Sequence, residues 1–436
     1  MAFQPREVVT VNRLLSAVAC GLVSMMAHTG SCRADTVTDW DTKATAAASA
    51  AALGEREVAI VDLAMFDAVN SIERRFQPYL EQLPTTEPTS ADAAAASAAA
   101  TALAGLHPET AAGFKAALAE YLAHLNAPPE ALANGARLGE AVALKILAAR
   151  ANDGATAVDS YRPKTKPGQY VPTPVMVCST WPTMRPFALA SPSQFRPGPP
   201  PSLKSREWAA DYNEIKELGG KTSNKRSAQQ TETARFWLMT GPQSYHPLAR
   251  QLVLERHLNL IDSARFMALF AVTLTDAYIA VFDAKYHYEF WRPVTAIRNA
   301  DLDDNPDTVG DATWQPIDNT PMHPEYPCAH CILSGAARVV LESLGRPMPE
   351  LSLESPTAPG VTHHWSNLDD FTTEVANARI WAGFHYRFST RVGTGLGRQV
   401  GEYVANKMMQ PVSRTRSAEE EPSRDGIEPP KRGFSD

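Results

Sequence analysis

Residues 55–75 of the chain read EREVAIVDLAMFDAVNSIERR, and this stretch determines the predicted fold class. Its apolar side chains recur at steps of three and four residues, at Val58, Val61, Leu63, Ala64, Phe66, Val69 and Ile72. This spacing is typical of an α-helix that buries one face. The segments 93–106, 108–125 and 129–149 show the same periodicity, and Asn152-Asp153-Gly154 ends the last of them. The first folded region is therefore predicted to be helical.

Helical periodicity also dominates the second half of the chain. It is present in segments 202–218, 225–239, 246–262, 264–288, 334–344, 371–384 and 392–408. The sequence has no run of alternating β-branched residues bounded by tight turns, so any strand should be short and local. The glycines in segment 393–397 (GTGLG) follow no predicted strand, so close helix packing explains them better than a nucleotide site. We therefore predict an all-α protein built as a helical bundle.

A proline-rich stretch separates the two helical regions. Eleven of the 34 prolines lie in segment 163–201, together with bulky aromatic residues such as Trp181. Proline at this density prevents helix formation, whereas the aromatic side chains indicate a segment that packs on a surface. We predict an N-terminal helical region at 35–162, an ordered connecting segment at 163–201 and a catalytic helical bundle at 202–410.

Both termini differ in composition from the folded regions. Arg6 and Arg13 precede an apolar run at 14–27, which is shorter than the roughly 20 residues that span a bilayer. We predict that residues 1–34 are a cleaved signal peptide, that the mature protein is secreted or periplasmic, and that it has no stable membrane anchor. Residues 411–436 are charged and poor in apolar side chains, so we predict that they are disordered.

Composition and charge restrict the classes of function. The 436 residues are 44% hydrophobic and 20% charged, which is enough to bury a large core. The formal net charge of −7 provides no global positive field for a polyanion, which argues against nucleic acid as a partner. Two of the five cysteines belong to the predicted signal peptide, and three remaining cysteines cannot form a disulfide framework.

Three short segments concentrate cations and histidines in this acidic chain. Lys285 and Arg292 stand seven residues apart, close to two helical turns, and can reach one site if the helix continues. The segment 327–330 (PCAH) leads into a helical pattern, where free backbone N–H groups can bind an anion. Arg379 and His385 form the third segment, although residues six apart on a straight helix point about 120° apart. Three such cations require an anion, and histidine is suited to proton transfer near neutral pH.

These segments resemble the vanadium-dependent haloperoxidase branch of the type-2 phosphatidic acid phosphatase superfamily. The family pattern is K-x6-R-P, then P-S-G-H, then S-R-x5-H-x3-D, and residues 262–400 follow its order and internal spacings. The resemblance implies an all-helical bundle that binds vanadate as its cofactor. It also implies that Lys285, Arg292 and Arg379 neutralise the oxyanion.

Two histidines carry the chemistry that this resemblance implies. His385 would be the metal ligand that binds vanadium, or the nucleophile towards phosphorus in a phosphatase. His330 would be the acid–base residue. His323 and Phe282 are candidates for the halide pocket, because bromide-oxidising family members tend to carry histidine at the position of His323.

The chain departs from the family pattern at three positions. Cys328 and Ala329 stand where family members place the serine and glycine that contact the oxyanion, and Ser389 stands in the aspartate position. A thiol is a poorer donor than a hydroxyl, and alanine restricts the backbone more than glycine does. We expect a competent oxyanion pocket with altered affinity.

The sequence therefore predicts an enzyme that oxidises a halide with hydrogen peroxide on histidine-bound vanadate, with bromide favoured over chloride. One alternative is a phosphomonoesterase that needs no vanadate and forms a phosphohistidine at His385 from a phosphate ester bound at the same site. A non-catalytic oxyanion-binding protein and a thiol redox protein built on Cys328 and Cys331 are further alternatives. The sequence does not determine the oligomeric state.

Overall fold

Helices form nearly all the regular structure of the residues that the computed structural model describes, which are 35–48, 53–85, 87–172 and 175–412. The helices are α1 (Thr36–Ala48), α2 (Gly54–Glu73), α3 (Ala91–Leu106), α4 (Ala111–His124), α5 (Pro129–Arg150), α6 (Arg206–Leu218), α7 (Ala228–Phe236), α8 (His246–Glu255), α9 (Leu260–Tyr288), α10 (Pro293–Arg298), α11 (Ala329–Glu342), α12 (Leu368–Trp381) and α13 (Arg387–Lys407). Two short strands, β1 (Leu351–Glu354) and β2 (Thr362–Trp365), form an antiparallel hairpin with Leu351 opposite Trp365. The predicted all-α fold is confirmed.

The longest helix, α9, lies in the core of the bundle. Asn259 caps its N-terminus by accepting a hydrogen bond from the N–H of Asp262 at 3.0 Å. Among the described residues, α9 is the one helix long and apolar enough to cross a membrane, but 94% of its most apolar window is buried inside the protein. Helices α2, α11 and α13 pack against it. We therefore interpret α9 as a core helix, which explains why it is apolar on all sides.

Most predicted helices are present, but several of their ends differ from the prediction. The stretch at 55–75 forms α2, which ends where Arg74 adopts a left-handed φ of 52°. The predicted extent 246–262 is wrong, because α8 ends at Glu255 and the chain turns through His257 (φ 49°) before α9 begins. Apolar periodicity continued across this turn, so the pattern alone did not reveal the break.

The proline-rich segment crosses the surface of α9. Its described residues contain one 3₁₀ turn, Trp181–Thr183, and no α-helix. The carboxylate of Asp276 on α9 accepts hydrogen bonds from the N–H groups of residues 187–189 at 2.7–2.8 Å. The ring of Trp181 packs on Tyr278, with the ring centroids 5.2 Å apart. Backbone and aromatic contacts together hold the segment on the bundle.

Close helix packing accounts for the glycines in segment 393–397. A Cβ atom at Gly393 would lie 2.6 Å from the carbonyl oxygen of Cys328, and one at Gly397 would approach the carbonyl oxygen of Ile332 still more closely. Any side chain at these two positions of α13 would therefore push α11 away. The predicted role of these glycines in helix packing is confirmed.

The hydrophobic core draws on both helical regions. Buried apolar side chains of α1, α2, α3, α9, α11 and α13 belong to one continuous cluster. A second cluster is aromatic and includes Trp208, Tyr212, Phe290, Trp291, Tyr326, Tyr386 and Phe388. Members of this aromatic cluster are the sequence neighbours of Arg292 and His385, and their close packing supports both residues rigidly. The predicted signal peptide at 1–34 and residues 413–436 of the predicted tail lie outside the described residues.

Candidate active site

Lys285 and Arg292 reach one region of the protein without sharing a helix. Helix α9 ends at Tyr288, where the periodicity of 264–288 predicts, and Glu289 adopts a left-handed φ of 51°, so the helix does not continue to Arg292. Arg292 instead precedes the short helix α10. The Nζ atom of Lys285 donates hydrogen bonds to the carbonyl oxygens of Pro324 at 2.9 Å and Glu325 at 2.8 Å. Lys285 thereby holds the loop that precedes the second motif.

Arg292 connects the second and third motifs. Its Nε donates to the carbonyl oxygen of His323 at 2.9 Å, and its Nη1 donates to the carbonyl oxygen of Phe384 at 3.0 Å. The same Nη1 lies 3.2 Å from Nε2 of His385, and Nη2 lies 3.0 Å from Nδ1 of His323. A guanidinium has five N–H donors in a rigid plane, so one side chain can orient several acceptors. Arg292 therefore positions both histidine rings.

A tight turn brings Arg379 and His385 together. Helix α12 ends before Gly383, which adopts φ 80°, so the predicted continuation of the helix to residue 384 is wrong. The N–H groups of Phe384 and His385 donate back to the carbonyl oxygen of Arg379 at 3.1 and 3.3 Å, which reverses the chain. A Cβ atom at Gly383 would lie 2.5 Å from the carbonyl oxygen of Gly219. Only glycine fits this turn, and the turn takes His385 off the helix.

Residues of the second and third motifs line a cavity of about 530 Å³. Its lining residues are Leu238, Thr240, Asp318, Asn319, Pro321, His323, Ala329, His330, Thr357, Arg379, Phe384 and His385. Five of these, His323, Ala329, His330, Arg379 and His385, are site residues predicted from the sequence. Lys285 and Arg292 are completely buried behind the wall, and Phe282 lies behind His323 with the ring centroids 5.1 Å apart. Cys328 does not contribute to the lining.

Three buried basic side chains, Lys285, Arg292 and Arg379, lie in the cavity wall or behind it. Burial lowers the pKa of Lys285 well below its usual value, and the charge of Arg292 lowers it further. Burial also lowers the pKa of Arg292 to about 10 and that of Arg379 to about 9. The Nε atom of Arg379 is buried and has no hydrogen-bond partner among the described residues. Because an unpaired buried guanidinium N–H is costly, this arrangement favours an anion in the cavity.

One ring nitrogen of His385 is unprotonated and carries a lone pair. Its Nδ1 lies 2.8 Å from Oε1 of Glu325, and its Nε2 lies 3.2 Å from Nη1 of Arg292. Arginine can only donate, so Nε2 must be the acceptor and the ring proton must sit on Nδ1. Burial and the neighbouring cations lower the pKa of His385 well below 6.5, so the ring is neutral. A neutral imidazole with a lone pair on Nε2 is the form that binds a metal.

Glu325 is a site residue that the sequence motifs did not predict. Its buried carboxylate accepts hydrogen bonds from Nδ1 of His385 at 2.8 Å and from the N–H of Tyr386 at 3.1 Å. Burial raises the pKa of Glu325 to about 7, although neighbouring cations and the hydroxyl of Ser389 oppose the rise. Glu325 thus supplies the carboxylate that position 389 lacks. The available signal was a lone acidic residue two positions before the second motif, in a chain whose third motif has no aspartate.

His330 is neutral and lies at the start of α11. Its Nε2 lies 2.9 Å from the carbonyl oxygen of Met239, which can only accept, so the ring proton sits on Nε2 and Nδ1 carries the lone pair. Burial lowers the pKa of His330 well below 6.5, and the charge of Arg379 lowers it further. A neutral histidine with an available lone pair can accept a proton at neutral pH.

His323 lies in the cavity wall beside Arg292. Its Nδ1 lies 3.0 Å from Nη2 of Arg292, a donor, and 3.1 Å from the carbonyl oxygen of Pro324, an acceptor, so the two contacts favour opposite tautomers of the ring. Burial lowers its pKa well below 6.5, and the charges of Lys285 and Arg292 act in the same direction. The ring meets Phe282 edge to face, at an interplanar angle of 82°. The two candidate halide-pocket residues are therefore adjacent, and His323 is the one that lines the cavity.

A disulfide joins Cys328 and Cys331 at the N-terminus of α11. This helix begins at Ala329 and not at residue 334 as predicted, because Cys328 caps it and its Sγ accepts from the N–H of Cys331 at 3.3 Å. A disulfide sulfur carries no proton, so Cys328 cannot provide the donor expected at the serine position. The donors left at this helix end are the first backbone N–H groups, at Ala329 and His330. Both cysteines are completely buried, which disfavours exchange with external thiols.

Comparison with known proteins identifies the relatives of this chain. A family model described as the VCPO second helical-bundle domain matches residues 265–414, the part that carries all three motifs. In this part the chain is similar to the vanadium haloperoxidases. The vanadium chloroperoxidase of Curvularia inaequalis is 26% identical to it, in a match that covers 43% of this chain and 42% of that protein.

Solved structures show the same fold. A bacterial vanadium-dependent iodoperoxidase superposes with a TM-score of 0.72 at 23% identity and covers 86% of this chain and 96% of its own. The apo and holo forms of a bacterial vanadium-dependent chloroperoxidase superpose with a TM-score of 0.66 at 18% identity and cover 82% of this chain. The relationship suggested by the three motifs is confirmed. Because the sequence match spans 42% of the length of the curated relative, a shared fold does not by itself transfer an activity to this chain.

Proposed function

We propose that this chain is a vanadate-dependent haloperoxidase that oxidises a halide with hydrogen peroxide. The observation that carries the proposal is that the unprotonated Nε2 of His385 lies 3.2 Å from Nη1 of Arg292, in the wall of a cavity that Arg379 also lines. Lys285 is buried behind the same wall. These residues fit vanadate, because a tetrahedral oxyanion needs donors on several sides and Nε of Arg379 is a buried donor without a partner. His385 would hold the metal through Nε2. The N-terminal N–H groups of α11 would contact the oxyanion in place of the absent serine hydroxyl.

The side chains of this site have separate roles in the proposed reaction. Vanadate bound here would supply Lewis-acid activation of hydrogen peroxide towards a halide. His330 would accept the proton that hydrogen peroxide loses on binding and would return a proton to the departing oxygen. The hydrogen bond from Nε2 of His330 to Met239 keeps the lone pair on Nδ1 for this task. Arg379 and Arg292 would balance the negative charge of the oxyanion.

We propose bromide as the halide. The support is the position of His323 in the cavity wall, together with the resemblance that places histidine there in bromide-oxidising members. The neighbouring solved structures are described as an iodoperoxidase and a chloroperoxidase, so the fold is compatible with more than one halide. We also propose that the protein is secreted or periplasmic, on the basis of the predicted signal peptide at 1–34.

Two parallel assays on the purified protein test the proposed activity. Peroxide-dependent bromination after vanadate loading should be present in the wild type and absent in His385→Ala. His364→Ala is the matched control, because this histidine lies on the exposed hairpin strand β2 and should leave bromination unchanged. Bromination that survives in His385→Ala would refute the proposal.

The second assay measures phosphate release from a chromogenic ester without vanadate. Phosphate release that depends on His385, without any bromination, would establish the phosphomonoesterase instead, because a neutral histidine with a lone pair on Nε2 can also attack phosphorus. Vanadate binding with neither activity would indicate a non-catalytic oxyanion-binding protein. The burial of Cys328 and Cys331 makes the thiol redox alternative the least supported of the four.

A further inference from the structure

A second group of buried ionisable side chains lies where α1, α2 and α8 meet. Asp41 of α1, Asp62 of α2 and His246 of α8 are all at most 1% exposed. One ligand atom from each lies within 4.8 Å of the other two. Glu55 and Arg250 border the group. None of the five residues lines the cavity of about 530 Å³ or belongs to the three motifs.

Each nitrogen of His246 faces a carboxylate. Nδ1 lies 2.8 Å from Oδ1 of Asp41, and Nε2 lies 3.4 Å from Oε2 of Glu55. The other oxygen of Asp41 accepts a hydrogen bond from Nη1 of Arg250. Neither oxygen of Asp62 is reached by a donor among the described residues, although both are buried. Burying a carboxylate without partners is costly, so the side chain of Asp62 indicates a missing ligand.

Two unusual protonation states are needed if no cation is bound. Burial and the charge of Asp41 raise the pKa of Asp62 well above 3.8, so Asp62 would have to keep its proton. Burial alone would lower the pKa of His246, but Asp41 and Glu55 raise it to about 10, so the ring would have to be charged. A divalent cation removes both requirements. With three ionised carboxylates, a neutral imidazole and the charged Arg250, the group is then neutral overall.

We propose that Asp41, Asp62 and His246 bind one divalent transition-metal ion that ties α1, α2 and α8 together. Nδ1 of His246 and one oxygen of each aspartate would be the protein ligands, and water would complete the set. Glu55 would accept the proton on Nε2 of His246, and Arg250 would hold the second oxygen of Asp41. Metal-bound histidines and carboxylates usually have outer partners of this kind, which orient the ligand atoms.

The ligand set selects the type of metal. An imidazole with two carboxylates suits Zn²⁺ or Mn²⁺, whereas Ca²⁺ and Mg²⁺ prefer sites made of oxygen ligands alone. The side chain of Arg250 is 17% exposed, so the group has an edge near solvent through which an ion can enter. This site is independent of the vanadate site, and its failure would leave the proposed function untouched.

A proton shared between Asp41 and Asp62 is the competing explanation, and Asp62→Asn separates the two. An asparagine amide can donate to Asp41 as a protonated carboxyl would, so a proton-sharing group should keep the wild-type melting temperature in this variant. A metal site should instead lose a ligand, its ion and the stability that the ion provides. Asp67→Asn is the matched control, because Asp67 is buried on the same helix and accepts from the N–H groups of Tyr79 and Leu80 at 2.8 Å.

The decisive measurement is the metal content of the full chain, purified without chelator and analysed by inductively coupled plasma mass spectrometry. We expect close to one equivalent of Zn²⁺ or Mn²⁺ in the wild type and in Asp67→Asn, and a loss of at least about tenfold in Asp62→Asn. Should a variant fail to fold, the wild type alone decides, since a chelator should lower its melting temperature and added Zn²⁺ or Mn²⁺ should restore it. Wild-type protein without stoichiometric metal and with no response to either ion would overturn the proposal, as would undiminished metal in Asp62→Asn.

Discussion

Replacing Glu325 with glutamine removes one charge from beside His385 and keeps the shape of the side chain. The amide oxygen of glutamine can still accept the two hydrogen bonds that Oε1 receives, at 2.8 Å from Nδ1 of His385 and 3.1 Å from the N–H of Tyr386. A hydrogen bond to a charged group contributes about 1.5–3 kcal/mol and a neutral one about 0.5–1.5 kcal/mol. The difference is roughly 1.4 kcal/mol, which corresponds to about tenfold in affinity. We therefore expect Glu325→Gln to bind vanadate about tenfold more weakly than the wild type at pH 8.

The pH dependence of this difference follows from the raised pKa of Glu325. Burial raises that pKa to about 7, so the wild-type carboxylate is charged at pH 8 and mostly protonated at pH 6. The negative charge of Glu325 is therefore present above pH 7, where it stabilises His385, and it is lost as the pH falls. The gap between wild type and Glu325→Gln should narrow from about tenfold at pH 8 towards none at pH 6. Isothermal titration calorimetry with vanadate measures both values, and equal affinities at pH 8 would refute the reasoning.

A second substitution tests whether Glu325 replaces the carboxylate that position 389 lacks. Ser389 is buried, and its hydroxyl lies close enough to lower the pKa of Glu325. Adding Ser389→Asp to Glu325→Gln should restore most of the vanadate affinity, because a carboxylate then stands beside position 325, whose side chain contacts Nδ1 of His385. Ser389→Asp alone should not raise affinity, since two neighbouring buried carboxylates cannot both ionise. If the double variant binds as weakly as Glu325→Gln, the two positions are not interchangeable.

Further predictions concern the oxyanion donors, the turn and the base. Arg379→Ala should weaken vanadate binding about a hundredfold in the same titration, because charged hydrogen bonds of up to about 3 kcal/mol are lost; a change below threefold would contradict the proposed contact. The double variant Cys328→Ser with Cys331→Ala restores a hydroxyl at the helix cap and should bind vanadate several-fold more tightly than wild type, whereas unchanged affinity would show that the cap does not contact the oxyanion. Gly383→Ala should destabilise the protein by at least about 1–2 kcal/mol in urea unfolding, because φ is 80° and a carbonyl oxygen occupies the Cβ position. The lowered pKa of His330 keeps it unprotonated as the pH falls through 6.5, so the acid limb of bromination, measured at saturating vanadate at every pH, should lie below pH 6.5, and a limb at or above that value would argue against His330 as the base.

The residues of the candidate site could be predicted from the sequence more reliably than their geometry. Lys285, Arg292, Arg379 and His385 were identified by type, order and spacing. The structure places Arg379 and His385 in the cavity wall, with Lys285 and Arg292 buried behind it. The turn that takes His385 off α12 was not predicted, because this helix was expected to run to residue 384 and ends at Trp381, before Gly383 with its φ of 80°. Spacing along a chain does not show where a helix stops when the stop depends on one left-handed residue.

Sequence by itself determined the helical fold class, the three motifs and the excess of cations in an otherwise acidic chain. These features are local, since periodicity and motif spacing act over a few turns of helix and can be read directly. Only the tertiary structure determined which site residues contact one another. Glu325 and His385 lie 60 residues apart in the chain, and Arg292 and His385 lie 93 apart. Contacts over such distances depend on how the helices pack, so the carboxylate that holds His385 and the lone pair that faces the cations became visible only in the folded protein.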